Sequence, residues 1–363
     1  MANNKITTLS EFLDHSGAKY RVFDMGRRVV KLSSEQFTSF ESAKQPYPQP
    51  LQKAALFGVI FWNPTLPEKH YIWFLKFPLD EQGLLIQAAR DEFLVMLLDR
   101  VGECMLAATD GTTIEGALKD SPYTFKPRDD KMAAFNAKAS KSLARPPSSY
   151  YQHALDYFTG QTDINDWQSL AIQGVADVTE RLAEGEQTQR LIASLPTLPS
   201  TPLTVLSSFL EHTEPAVGIV EVLSQSVESE LQQSEPNITK LCAFLRAASN
   251  SPAQGLLEQM VTQILNHDCS RQIEILATIS GRLWQVLEQA PICTLFVERL
   301  AENDADYSGF SQVLADAMYM PGLREHIMKA LRSPKRSDML SKRVGEMFGQ
   351  VATKFQSSLN QHV

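Results

Sequence analysis

The sequence has no long apolar run. Its longest, residues 54–62 and 93–98, span nine and six positions. A membrane-spanning helix needs roughly 20, so the sequence excludes one. Cysteine is also scarce. Cys104, Cys242, Cys269 and Cys293 are scattered with no CxxC pair, which argues for buried, reduced thiols and against a zinc site. The seven histidines form no HxH or HExxH spacing, so no metal site is expected. No serine stands in a GxSxG context, and no Walker or dinucleotide glycine motif occurs. The opening MANNKITTLSEFL lacks the charged region and apolar run of a secretory signal. Together these absences predict a cytoplasmic protein with no metal and no cofactor.

What the chain does contain is a repeat. Leu170, Leu206, Leu241, Leu276 and Phe310 recur at offsets of 34 to 36, and Ile192, Val227, Val261, Phe296 and Leu331 keep the same step. Two apolar series half a period apart imply two helices per repeat. A helix pair of this size cannot bury its apolar face alone, so pairs must stack. Prolines, Pro252 and Pro334 among them, punctuate the helices, and the Ser-Pro pairs read as helix starts.

Ahead of the repeat the sequence predicts an α+β module over 1–120. Its elements are a capped helix at 7–15, two strands within 20–32 turning at Asp24-Met25-Gly26, and a capped helix at 33–41. A hairpin of 55–62 and 70–77 and a helix over 80–103 complete it. That is a small antiparallel sheet with helices on one face. Tyr71, Trp73 and Leu75 share one side of a strand, and Ile72, Phe74 and Lys76 the other. Both sides are apolar, so the second must be covered, and the chain's own helices are the favoured cover. Residues 105–127 read as a loop-rich junction, and 121–162 as a helical linker. About five helix pairs follow over 163–336, and a helical cap closes the chain over 337–363.

The repeat lacks the tetratricopeptide and ankyrin signatures. Its proline-punctuated pairs resemble HEAT-like repeats. The fold class expected is therefore the α+β module followed by an all-α, right-handed solenoid of HEAT-like helix pairs. The strings YRVFDMGRRV (20–29), FWNP (61–64), IWFLKFPLDEQGLL (72–85), RPPSSYYQHALDYF (145–158) and PGLREHIMKALRSPKRS (321–337) resemble an uncharacterised gammaproteobacterial family. That family is catalogued only as a domain of unknown function spanning nearly the whole chain. The resemblance implies a bacterial cytosolic protein and brings no activity.

Charge is segregated. Residues 161–304 hold 7 Lys/Arg against 19 Asp/Glu, whereas 121–160 hold 6 against 3 and 305–363 hold 8 against 5. The acidic body disfavours nucleic acid along its length. It suits a basic protein partner, or self-association through the basic ends; acidity that merely keeps the protein soluble is the plainer reading.

Candidate site residues fall in two places. In the module, Asp24, Arg27 and Arg28 form a polar turn beside aromatic strands, exposed enough to bind. Asp80 and Glu81 precede a helix carrying Arg90, Asp91 and Glu92. Paired carboxylates can act as acid and base, but Asp80 as an N-cap, with Glu81 in the first turn and Arg90 pairing with either, explains them structurally. At the end of the repeat, Arg324, Lys335 and Arg336 lie in a basic run, with a second run at 126–145. Three functions follow: a non-catalytic protein-interaction scaffold or adaptor, favoured; an RNA- or ribosome-associated factor using the basic runs; and an enzyme with an acidic site in the module.

Overall fold

The computed structural model describes residues 6–66, 68–101, 118, 120–183, 185–347 and 349. It divides into two compact units, residues 1–149 and 150–363.

The first unit runs α1 (Leu9–His15), β1 (Lys19–Asp24), β2 (Val30–Leu32), α2 (Ser34–Glu41), β3 (Ala54–Trp62), β4 (His70–Pro78), α3 (Gln87–Val101) and α4 (Asp129–Ser142). Both expected helix caps form, each as a capping box. Thr8 and Glu11 close the start of α1, and Ser33 and Gln36 that of α2. The four strands make one antiparallel sheet in the order β2-β1-β3-β4. One face, with Val22, Phe57, Phe61, Trp73, Leu75 and Phe77, joins a single core with residues of α1, α2 and α3.

Helices cover both faces of this sheet. The register aligns Phe23, Gly58 and Phe74 across β1, β3 and β4. Gly58 leaves a notch in that row, and Phe135 of α4 sits in it. Its ring lies 5.2 Å from Phe23 and 5.1 Å from Phe74, edge-on to both. A Cβ on Gly58 would come within 2.7 Å of the Phe135 ring. This is why β3 is buried along nearly its whole length, as a strand covered on both sides must be.

The helix expected from residue 80 starts at Gln87 instead. The Asp80 carboxylate accepts the backbone N–H groups of Gln82 and Leu84, both at 2.9 Å, and Leu79 bridges Leu85. An aspartate that satisfies the backbone locally favours a turn over a helix. Cys104, residues 105–117 of the expected junction and residues 350–363 of the expected cap lie outside the described residues; 338–347 are helical.

The second unit is helical throughout its described part: α5 (Tyr151–Phe158), α6 (Ile172–Glu180), α7 (Gln187–Ser194), α8 (Ser200–Leu210), α9 (Val217–Leu231), α10 (Ile238–Ala248), α11 (Gln254–Leu265), α12 (Ile273–Arg282), α13 (Ala290–Ala301), α14 (Asp306–Met318) and α15 (Leu323–Leu331). From α6 onward these form five pairs. The first helices stack on one another, α5 on α6, then α8, α10, α12 and α14 in turn. The second helices do likewise, from α7 through α9, α11, α13 and α15. Leu206, Leu241, Leu276 and Phe310 are fully buried in the first layer, and Val227, Val261 and Phe296 in the second. The first pair departs from this phase. Leu170 precedes α6 and is half-buried, and Val175 and Leu191 fill the core in place of Leu170 and Ile192.

The expected linker 121–162 is therefore split between the units, because α4 is fixed to the sheet by Phe135 and α5 packs on α6. The Ser-Pro pairs are not helix caps. Ser251 accepts from the Ala253 N–H and Ser333 from the Lys335 N–H, as turns outside the helices. Helix α5 has Tyr150 at its cap, with no side-chain hydrogen bond closing it.

Candidate functional site

The β1–β2 connection carries three charged residues, and all three are buried. Asp24 is 0% exposed, Arg27 3% and Arg28 1%, which corrects the expectation of an exposed polar turn. The connector between α2 and β3 wraps the turn on one side. Tyr47 from that connector donates its hydroxyl proton to Asp24 Oδ1 and also lies 3.1 Å from the Leu56 carbonyl. The Gly26 N–H donates to the same Oδ1 at 2.7 Å. Gly26 has no room for a side chain, since a Cβ would fall 2.4 Å from the Gln49 carbonyl. Arg27 Nε donates to the Pro50 carbonyl at 3.0 Å, and the Arg28 N–H to Gln49 Oε1 at 2.9 Å. From α4, Lys131 Nζ donates to the Arg27 carbonyl at 2.7 Å.

Burial pushes the Asp24 carboxyl up to about 7, against the Tyr47 and Gly26 hydrogen bonds and the Lys131 charge, which favour the anion. Its Oδ2 has no hydrogen-bond partner among the described residues, as suits a carboxyl that spends part of its time protonated. A carboxyl titrating near 7 is suited to proton transfer, but one with no exposed surface offers a substrate nothing to touch. Of its partners, Tyr47 was not singled out by sequence, and Lys131 was read only as part of a basic run. Tyr47 stands in a proline-rich connector and Lys131 in a basic run, and neither pattern signals burial.

Asp80, Glu81 and Arg90 do not form one cluster of bonds. Asp80 organises its own turn, and Glu81 is exposed. Arg90 does not pair with either. It is bound to the Asp91 carboxylate at 2.6 Å and to the Glu41 carbonyl at 2.6 Å. The Glu41 carboxylate, held up by burial, accepts the Leu9 N–H at 2.7 Å and the Ser10 hydroxyl and N–H. It thus caps α1 from α2.

At the other end, Arg324 and Lys335 are exposed. Arg336 is committed internally, donating to the Leu331 carbonyl at 2.6 Å and to Ser341 Oγ at 2.9 Å.

A further charged group was not legible in sequence. Glu211, at the end of α8, is buried and accepts Arg246 Nε at 2.8 Å and Arg282 Nε at 2.7 Å. These arginines come from the ends of α10 and α12, so one carboxylate ties three successive first-layer helices together. The signal that could have found it is the spacing, since 211, 246 and 282 differ by about one repeat each.

Burial raises the thiols of Cys242, Cys269 and Cys293, the last two to about 11. Among the described residues no group of three or more His, Cys, Asp or Glu is placed to hold a metal ion, and no helix is long and apolar enough to cross a membrane.

A family model described as "Protein of unknown function (DUF3549)" matches residues 4–348. No curated protein and no solved structure matches the chain.

Proposed function

The chain belongs to the family described as Protein of unknown function (DUF3549), and we propose that it is a non-catalytic, cytoplasmic protein-interaction scaffold. The helical unit is read as a right-handed α-solenoid of five HEAT-like pairs that presents an extended surface to a protein partner. One observation carries the reading: two layers of helices continue pair after pair, and polar links between neighbours recur at nearly one period. Arg246 reaches Glu211, 35 residues back; Gln263 reaches Glu228, 35 back; Arg299 reaches the Leu265 carbonyl, 34 back; Asn250 reaches the Thr213 carbonyl, 37 back. A surface built by repetition suits binding better than a single reactive centre, an argument at the level of fold.

The internal bonds of Lys131 and Arg336 weigh against the RNA-binding alternative, because they occupy part of both basic runs. The exposed Arg324 and Lys335 remain available to an acidic surface, including that of a second copy.

The test is capture of the tagged full chain from its own host at near-native abundance, with mass spectrometry of what is retained. A reproducible, stoichiometric protein partner is expected. Capture that retains none overturns the scaffold reading and returns attention to the Asp24 region.

A further inference from the structure

At one joint the stack departs from the repeat. Between α9 and α11 the neighbours follow the repeat, with Glu228 beside Gln263, 35 residues on. Between α7 and α9 they do not. A Cβ on Gly218 would meet Ile192 Cδ1 at 3.1 Å, a separation of 26 residues in sequence. Helix α7 therefore lies against the first turn of α9, about nine residues, or roughly 13 Å of helix, short of where the period would put it. It ends at Ser194, and the chain continues as a 3-10 turn over Leu195–Thr197 that still packs on α9.

The rest of α9 is left with an open flank. Val222, Gln225, Ser226 and Ser229 form one stripe at helical spacing along it, and Gln233 lies just past its end. With Pro196 on one side and Lys240 and Phe244 of α10 on the other, they line a groove of about 650 Å³.

The lining is unlike a small-molecule pocket, which is mostly apolar. Amides and hydroxyls dominate the walls, and Val222, Phe244 and Pro196 make a short apolar floor. Gln225, Ser229 and Glu235 make no side-chain hydrogen bond among the described residues. Amides offer both donors and acceptors, which is what the backbone of an extended chain needs. The charged groups on the lining are Glu230, Glu235 and Lys240, a net negative site in the acidic stretch 161–304.

We propose that this groove is a docking site for an extended segment of another polypeptide, one carrying a lysine or arginine beside an aliphatic or aromatic residue. The apolar side chain rests on Val222 and Phe244, and the cation meets Glu235. The open stretch of α9 from Val222 to Leu231 is about 14 Å long, enough for roughly four residues in extended form. The inference rests on the scaffold reading and names the chemistry of what one part of the scaffold holds.

The probe is a phage-displayed library of random heptapeptides, panned against the full chain. Selected peptides are then synthesised with a fluorescent label and titrated by anisotropy. Wild type, Ser229→Trp, which fills the groove, Glu235→Lys, which reverses its charge, and Thr294→Trp, a surface control on α13, are compared, each checked by its thermal transition. Selected peptides should carry a basic residue next to an apolar one. They should bind Ser229→Trp and Glu235→Lys about tenfold more weakly or worse and Thr294→Trp as well as wild type. Peptides that bind Ser229→Trp like wild type, peptides that are predominantly acidic, or no selected peptide at all overturns the proposal. So does a concentration-dependent dimer that Ser229→Trp abolishes, since the occupant is then a second copy. A host partner whose binding ignores Ser229→Trp removes the groove and leaves the scaffold; failure of the scaffold reading shows only in the host capture.

Discussion

Asp24 couples the stability of the sheet unit to pH. Its unfolded value is near 3.8, and burial raises the folded value to about 7. Between these the folded chain keeps a proton that the unfolded chain has released. Stability is therefore full below about 4 and falls as pH rises towards 7. The loss is on the order of 4 kcal/mol. Asp24→Asn keeps an acceptor for Tyr47 and Gly26 without the charge. It should flatten the dependence and make the variant more stable than wild type at pH 8, as read by urea unfolding at pH 5 and pH 8. Glu211 has the opposite character, a buried carboxylate held by two arginines. Glu211→Gln leaves both guanidiniums with a weaker acceptor and should cost ~2 kcal/mol. The lower end of the range applies because both arginines keep about a quarter of their side-chain surface in water (23% and 27%). Chemical denaturation of the variant checks it. Neither residue was readable in this role from sequence. Asp24-Met25-Gly26-Arg27-Arg28 is composed like an exposed turn, and only the connector around Tyr47 and helix α4 bury it.

At the scale of elements, sequence was most informative where the structure is local. Thr8 with Glu11 and Ser33 with Gln36 fix two helix starts within four residues of chain, and aromatic and β-branched content marks β3 and β4. It misled where a side chain competes with the backbone, as Asp80 does ahead of α3. It was silent where an element meets a distant one. Phe135 belongs to an ordinary-looking helix, and nothing in that pattern says that its ring fits over Gly58, 77 positions earlier. Phe135→Ala should destabilise the sheet unit by about 3 kcal/mol or more. Hydrogen exchange should show loss of protection in α4 and β3 together. Gly58→Ala, which pushes a methyl into the same ring, should also be destabilising, by the route of overpacking.

The whole chain was legible as a module followed by a repeat, because periodicity survives the divergence of individual residues. The boundary between them was not assigned, although Pro146, Pro147, Ser148 and Ser149 stand immediately before the point where the units divide. If the division at 149/150 marks an independent folding unit, a fragment of 150–363 should keep its helical circular dichroism and unfold cooperatively without the sheet. A fragment beginning at 163 should be less stable, because it lacks α5, whose Phe158 carbonyl accepts the Ser194 hydroxyl of α7. Thermal melts of the two fragments decide it.

The misplaced joint between α7 and α9 resembles a dislocation in a crystal. The rows beyond it regain their spacing, so the mismatch is confined to one plane. An array of repeats can then absorb a change in the length of one helix without re-specifying the rest, and that plane is where the chain can lengthen or shorten at least cost. It is also where the array is thinnest, with a short helix on one side and a bare flank on the other. Pulled from its two ends, the stack should part there first.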